Sequence, residues 1–279
     1  MAGWHASCIL EYNLGVLSEE RLRASLPLRG LGAEFHFHGT IGSTNDEAAS
    51  RARQGAPEGT VVVAEEQTAG RGRAGRAWLT PPGSALALSI VLRPRALAPE
   101  AIGGLTALGA LAVAEALEAQ GVAALIKWPN DVLLDGRKVA GVLVEGSWAG
   151  QELEYAIVGI GVNVRPASVP AQAAYPATCV EEVVGRSIDR DDLLVGILDG
   201  VGRWYPRLGS EALLEAWERR LAFRGQEVSM VDESGRDEMR GVVEGLLADG
   251  RLKLRTGRGE QLVARPEGYH LRPVDTAAA

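Results

Sequence analysis

The stretch that decides the fold is DVLLDGRKVAGVLVEGSWAGQELEYAIVGIGVN, residues 131–163. Asp135-Gly136 is a typical two-residue hairpin turn, and it separates the short strand VLL from a strand at 138–145. A second hairpin leads into an apolar, strand-like segment at 152–164. Because such short connections join antiparallel neighbours, the three strands predict a mixed or antiparallel sheet.

Periodic segments on both sides of this stretch add further strands and helices. Upstream, apolar runs predict strands at 35–39, 60–65, 85–92 and 123–128. Capping residues and helical spacing predict helices at 19–26, from Ser43 or Thr44 to Gly55, and at 99–120, 189–208 and 210–222. The expected fold class is therefore α+β, with the helices on one face of the sheet.

The character of the chain changes after residues 223–225. Short strands are predicted at 226–231, 238–247, 251–255, 261–264 and 269–271. Strands at this tight spacing predict a small β-barrel. We therefore expect a short N-terminal extension at 1–34, the main domain at 35–222, the barrel at 223–273 and a tail at 274–279.

Composition indicates a soluble protein that works inside the cell. The 279 residues carry a net charge of −7, which disfavours a general nucleic-acid binder, because such proteins neutralise many phosphates with a basic face. Cys8 and Cys179 are far apart and lack C-x-x-C spacing, so we expect a reduced, cytoplasmic setting and no metal site. No export signal is apparent, and the longest uncharged stretch, 101–114, is too short to span a bilayer, so no membrane partner is expected.

The most distinctive polar segment is QTAGRGRAGRAW, residues 67–78, called here the arginine loop. Its glycines let the backbone approach a ligand, and its guanidinium groups bind anions through paired hydrogen bonds. A dinucleotide-binding fingerprint is excluded, because Pro81-Pro82 forbids the helix that such a loop must open. Walker and protein-kinase signatures are absent. The loop is predicted to bind phosphate, and the alternative is a flexible, solvated turn.

Further polar clusters begin or end predicted strands and helices, where loops gather at a sheet edge and build a pocket. Neutral groups suit an uncharged polar ligand, cations suit nucleotide phosphates, and Trp78 can cover an aromatic base. No serine or cysteine triad signature is present, so the pattern predicts phosphoryl or nucleotidyl transfer that depends on positioning and electrostatics. The clusters are Ser43-Thr44-Asn45, Gln67 with the arginine loop, Lys127 to Asp131, and Lys138.

Each of these residues also has a purely structural interpretation. Ser43 to Asn45 can simply cap a helix, and Trp128 is expected in the core. Asp131 can hold the Pro-Asn-Asp turn through its side chain, and Lys138 beside a hairpin can be solvated. Asn163 lies inside an apolar strand and needs a partner if buried, either a neighbouring loop or an adenine base.

Taken in order, four motifs resemble those of the biotin protein ligases. They are GRGRAGRAW at 70–78, KWPND at 127–131, KVAGVLVE at 138–145 and GIGVN at 159–163. The resemblance covers about residues 35–271. It implies a catalytic core like that of the class II aminoacyl-tRNA synthetases, followed by an SH3-like barrel.

The resemblance implies a two-step reaction with ATP, Mg²⁺ and biotin. Biotin attacks the α-phosphate of ATP to give biotinyl-5′-adenylate and pyrophosphate, and a lysine of a biotin carboxyl carrier protein then attacks the adenylate. The implied biotin-binding residues are Ser43, Thr44, Asn45, Gln67, Arg71, Gly72, Arg73, Lys138 and Gly141. The implied ATP- and adenylate-binding residues are Gly70, Arg73, Arg76, Trp78, Asn130, Asp131, Lys138 and Asn163.

Lys138 and Arg73 are the expected catalytic residues. A cation between a carboxylate and a phosphate offsets their repulsion and stabilises charge in the transition state. Closure of the arginine loop would shield the adenylate from water. Larger members of the family carry an N-terminal helix-turn-helix domain and repress transcription; with only about 35 residues before the core, no DNA binding is expected. The resemblance leaves a homodimer open.

Three other functions compete with this one. A lipoate ligase or lipoyl transferase shares the fold and also acts on a carrier lysine, but the arginine loop is not expected in it. A non-catalytic biotin or nucleotide sensor would bind ligand without releasing pyrophosphate. An RNA-binding loop is disfavoured by the acidic composition and by the lack of aromatic residues among the arginines.

Overall fold

The computed structural model describes residues 15–26, 31–32, 34–95, 102–173, 175–232, 236–264 and 269–274. Within these ranges the chain forms a seven-stranded mixed sheet with helices, followed by a five-stranded antiparallel sheet. Cys8, the predicted helix start at Pro99 and the last residues of the tail lie outside the described residues. Every helix in the described ranges is too short or too polar to traverse a lipid bilayer.

The first sheet contains β1 (Phe35–Ile41), β2 (Val61–Gln67), β3 (Ala85–Leu92), β4 (Leu125–Lys127), β5 (Asp131–Leu134), β6 (Arg137–Ala149) and β7 (Glu152–Asn163). Its strand order is β1-β2-β3-β7-β6-β5-β4; β1 and β2 are parallel, and the other neighbours are antiparallel. Asp135 and Gly136 have φ angles of 48° and 70°, the positive values that a type I′ turn needs. The hairpins predicted from residues 131–163 are confirmed.

Helices connect these strands and cover the sheet. They are α1 (Glu19–Ser25), α2 (Thr44–Arg53), α3 (Gly103–Glu118), α4 (Val180–Val184), α5 (Arg190–Trp204) and α6 (Glu211–Arg219). Side-chain oxygens of Ser43, Asp189 and Ser210 accept hydrogen bonds from the first-turn N–H groups of α2, α5 and α6. These caps satisfy backbone donors that the helix itself leaves unpaired.

Helices lie on both faces of the sheet. Along β2, Val61 and Val63 belong to the main core with α3 and α5, whereas Val62 belongs to a separate cluster with Ala48 and Ala52 of α2. Successive residues of a strand point to opposite faces, so α2 covers the face opposite to α3 and α5. The mixed sheet with helices is confirmed, and the expectation that all helices share one face is corrected for α2.

The second sheet fits an SH3-like domain. It contains β8 (Glu227–Asp232), β9 (Asp237–Leu246), β10 (Leu252–Arg255), β11 (Gln261–Ala264) and β12 (Tyr269–Pro273), in the order β11-β10-β9-β8-β12. Trp128 is buried in the main domain, as predicted, and its Nε1 donates to the Gly250 carbonyl at 2.9 Å. This contact helps to dock the second sheet against the first. The change from helices to strands falls near residue 223, but the exact domain limits stay a prediction.

Candidate active site

A cavity of about 420 Å³ opens beside the arginine loop, within the size range of small-molecule sites. Its wall is built from the start of α2, the arginine loop, strands β4 to β7, residues 168–173 and 175–177, and strand β12. All residues predicted to bind biotin or ATP line this cavity, with one exception. The exception is Gly70, where a Cβ atom would lie 2.4 Å from the Trp78 carbonyl oxygen, so the missing side chain lets the two legs of the loop pack together. Which ligand each lining residue contacts stays a prediction.

One end of the cavity is neutral and hydrogen-bonded. Gln67 Oε1 accepts hydrogen bonds from the backbone N–H of Thr44 at 2.8 Å and from its hydroxyl at 3.0 Å. Asn45 Oδ1 accepts a hydrogen bond from the Ser89 hydroxyl at 2.6 Å. Ser43 both caps α2 and lines the cavity, so the capping interpretation and the binding prediction are compatible. This end suits an uncharged polar ligand.

The arginine loop is a hairpin whose three arginines have three different partners. Arg71 forms two hydrogen bonds of 2.6 Å with Asp46 of α2. Arg73 Nη1 donates to Asn130 Oδ1 at 3.2 Å, and Arg76 contacts the ring of His270 in β12. The loop is thereby tied to a helix, to the turn before β5 and to the second sheet. The loop is exposed to solvent over residues 74–77, and its arginine side chains have defined protein partners.

Asp131 lies between two lysines in the wall of the cavity. Its Oδ1 is 2.5 Å from Lys138 Nζ, and its Oδ2 is 2.8 Å from Lys127 Nζ. Burial disfavours the Asp131 carboxylate, but the two ammonium groups outweigh it and hold the pKa of Asp131 well below its usual range. Burial also lowers the pKa of Lys127, opposed by the charge of Asp131. Asp131 is therefore more than a turn residue, and Lys138 is fixed instead of solvated.

The aromatic residue of the loop packs over strand backbone. A Cβ atom at Gly161 would lie 2.3 Å from Trp78 Cε2, so only glycine admits the indole at this place. Lys138 Nζ is 5.5 Å from the centre of the Trp78 ring. Asn163 donates to the Thr178 carbonyl at 3.2 Å, which supports its structural interpretation, and it also lines the cavity.

Tyr175, His270 and Arg272 are among the cavity residues that carry no signal in the sequence analysis. The ring of Tyr175 lies 4.1 Å from Lys127 Nζ and 5.5 Å from the Arg272 guanidinium carbon. Burial, with the nearby charges of Arg76 and other cations, lowers the pKa of His270 to about 4, so its ring is neutral at pH 7. Tyr175 follows β7 in an irregular segment, and His270 and Arg272 come from the second sheet. Only the folded arrangement brings them to the cavity, where Arg272 adds a positive charge and Tyr175 and His270 add neutral rings.

Comparisons with known proteins identify the family of the chain. Residues 40–163 match the model of the Biotin/lipoate A/B protein ligase family. A biotin--[acetyl-CoA-carboxylase] ligase of Paracoccus denitrificans is 38% identical over 236 residues, which cover 81% of this chain and 96% of that protein. A second ligase of the same name, from Mycobacterium tuberculosis, is 31% identical over 271 residues, which cover 92% of this chain and 96% of that protein.

The bifunctional ligase/repressor BirA of Bacillus subtilis is 38% identical over 187 residues, and the match spans 57% of its length. Among solved structures, the biotin protein ligase from Aquifex aeolicus in complex with biotin and ATP aligns with a TM-score of 0.72 and 29% identity. That alignment covers 86% of this chain and 99% of the Aquifex chain, so the two share one fold. The chain therefore belongs to the Biotin/lipoate A/B protein ligase family, and within it to the biotin–[acetyl-CoA-carboxylase] ligases.

Proposed function

We propose that the protein is an ATP-dependent biotin protein ligase. It would join biotin to AMP and then transfer the biotinyl group to a lysine of a biotin carboxyl carrier protein. The observation that carries the proposal is the position of Lys138, which Asp131 holds in the cavity wall. The arginine loop and the neutral Gln67–Thr44 end line the same cavity. An uncharged ring system suits the neutral end, and two anionic groups suit the cationic end.

In the first step two anions must meet. A carboxylate oxygen of biotin attacks the α-phosphorus of ATP, the new P–O bond forms, and the bond to the departing pyrophosphate breaks. Lys138 and Arg73 offset the repulsion and stabilise the charge that develops on the phosphoryl oxygens. Because Asp131 already fixes the ammonium group of Lys138, little reorganisation is needed when the transition state forms.

In the second step the acceptor amine attacks the carbonyl carbon of the adenylate. The amide bond forms, AMP leaves with the electrons of the C–O bond, and the amine loses a proton to the medium. A mixed anhydride of this kind is sensitive to water, so the closed arginine loop protects it until the acceptor arrives.

The Mg²⁺ requirement belongs to the proposal as well. No group of three metal-ligating His, Cys, Asp or Glu residues occurs within the described ranges, and Asp131 is already paired with two lysines. These residues do not form a dedicated protein-built metal site. Any Mg²⁺ would therefore enter with ATP, held mainly by phosphate oxygens and water.

The remaining partners are part of the same proposal. The acceptor would be a biotin carboxyl carrier protein, and the setting would be cytoplasmic. The net charge of −7 favours a protein partner over DNA or RNA. Light scattering of the purified protein would distinguish a monomer from a homodimer, and a gel shift with specific operator DNA would contradict the absence of DNA binding.

The decisive experiment is exchange of labelled pyrophosphate into ATP, measured with Mg²⁺ and with biotin or lipoate in parallel. Exchange with biotin alone would support the adenylation step. Exchange with lipoate alone would contradict the proposal and point to the lipoate branch of the matched family. Ligand binding with no exchange would indicate a sensor.

A further inference from the structure

Arg71 of the arginine loop is held by carboxylates of the protein. Both terminal nitrogens lie 2.6 Å from the two oxygens of Asp46, in the side-by-side geometry that gives the strongest Arg–carboxylate pairs. Arg71 Nη2 also lies 3.4 Å from Glu145 Oε1. The guanidinium is therefore occupied by carboxylates, whereas Arg73 donates to the Asn130 amide oxygen and Arg76 contacts the His270 ring.

A chain of hydrogen bonds connects this ion pair with the neutral end of the cavity. Asn45 Nδ2 donates to Glu145 Oε2 at 2.6 Å, and Asn45 Oδ1 accepts from Ser89, whose hydroxyl also lies 2.8 Å from the Thr44 hydroxyl. Thr44 in turn donates to Gln67 at the start of the arginine loop. The network thus joins the loop to α2 at two places.

The strength of the Arg71–Asp46 pair suits a contact that must open. The two side chains retain 37% and 62% of their exposure, so water screens the attraction. Exposed pairs of this kind shift an equilibrium by up to about a factor of five. Such a contact biases the loop towards closure without preventing ligand entry or product release.

We propose that Asp46 is a positioning residue that latches the arginine loop to α2 through Arg71 and so retains biotinyl-adenylate until the acceptor lysine arrives. The proposal rests on the proposed ligase function and assigns Arg71 to loop closure through its side chain. Asp46 itself does not touch the reacting atoms. Its effect is on how long the loop stays closed.

The test compares Asp46→Asn, Asp46→Glu and Glu47→Gln with the wild-type protein. Asp46→Asn keeps the size of the side chain and removes its charge, and Asp46→Glu restores the charge. Glu47→Gln removes a carboxylate from the same helical turn, but Glu47 pairs with Arg51 within α2 instead of with the loop. Both variants therefore lose the same attraction between a side-chain charge and the N-terminus of α2, and only Asp46→Asn loses the contact with the loop.

The measurement is the release rate of labelled biotinyl-adenylate from the preloaded protein after a chase with unlabelled biotin and ATP. Asp46→Asn should release the adenylate roughly fivefold faster, whereas Glu47→Gln should match wild type and Asp46→Glu should recover most of the retention. A merely structural role would not separate the two charge-removing variants in this way. Thermal unfolding of each variant shows that it is folded.

Equal release from Asp46→Asn and Glu47→Gln would overturn the latch. A second test exchanges the charges: Asp46→Arg and Arg71→Asp should each accelerate release, and the double variant should slow it again. Failure of the double variant to recover would also count against the latch. Wild-type protein that shows no biotin-dependent pyrophosphate exchange would instead overturn the proposed function, so the two failures are distinguishable.

Discussion

The ammonium group of Lys138 lies 2.5 Å from the carboxylate of Asp131, and Lys127 holds the other oxygen of the same carboxylate. One buried anion thus fixes two cations that reach the cavity from different strands. Without Lys138, Asp131 still has Lys127 as a partner. This makes Lys138 a residue that can be removed without leaving a buried charge unpaired.

We therefore expect Lys138→Ala to reduce adenylation about 100-fold or more while biotin affinity changes only a few-fold, since the cation acts mainly on the transition state. Pyrophosphate exchange and equilibrium biotin binding measure the two effects. Lys253→Ala is the matched control, because this lysine lies on β10 and pairs with Glu244. Near-normal turnover of Lys138→Ala would refute the catalytic role.

Arg73→Gly should release free biotinyl-adenylate and label bystander lysines indiscriminately. The change removes the contact with Asn130 that ties the loop to the turn before β5, and glycine adds backbone freedom at the same place. Labelling of an added unrelated protein, detected with streptavidin, measures the leak. Arg73→Lys keeps the charge and should leak less, whereas bystander labelling at the wild-type level in Arg73→Gly would contradict the shielding role.

Stability should depend far more on the buried Arg190–Glu65 pair than on the Arg203–Glu115 pair, whose arginine is exposed. Arg190 and Glu65 are 2.6 Å apart and almost fully buried, and Glu65 also accepts from the backbone N–H of Leu17. Arg190→Ala leaves a buried carboxylate without its cation, so the free energy of unfolding should fall by about 3 to 5 kcal/mol. Arg203→Ala removes a side chain that is 55% exposed and should cost less than about 1 kcal/mol. Urea denaturation measures both values, and equal losses would contradict this ranking.

Local signals in the sequence account for most of the fold. The hairpins in residues 131–163 follow from turn chemistry and apolar strands, and β3 has the limits predicted from its continuous apolar run. The side of the sheet on which α2 lies could not be predicted, because α2 has only small apolar residues, chiefly Ala48 and Ala52, and its amphipathic pattern is weak. The parallel pairing of β1 with β2 is likewise set by tertiary packing.

The site was predictable where residues lie in recognisable motifs. Lys138, Asp131 and the arginine loop stand in such motifs, and the structure brings them to one cavity. Tyr175 and His270 do not, because their contacts join segments far apart in the chain. The pairing of Arg71 with Asp46 was missed for the same reason, since 25 residues separate them.

His270 should make the wild-type protein lose stability as the pH falls below about 6.5. Its pKa of about 4 in the folded protein lies below the ordinary value of 6.5, because burial and the charges of Arg76, Arg73, Lys127 and Arg272 disfavour the protonated ring. Between these two values the unfolded chain binds more protons than the folded chain, so stability rises with pH over this window and is fully present above it. After allowance for solvent screening, the loss of unfolding free energy from pH 6.5 to pH 4 should be about 1 to 2 kcal/mol.

His270→Gln keeps a polar side chain opposite Arg76 but cannot titrate, so its unfolding free energy should lack this part of the pH dependence. Urea denaturation at several pH values measures the difference in unfolding free energy between the two proteins, in which the titration of all other groups cancels. Parallel curves of unfolding free energy against pH would show that the fold does not protect His270 from protonation.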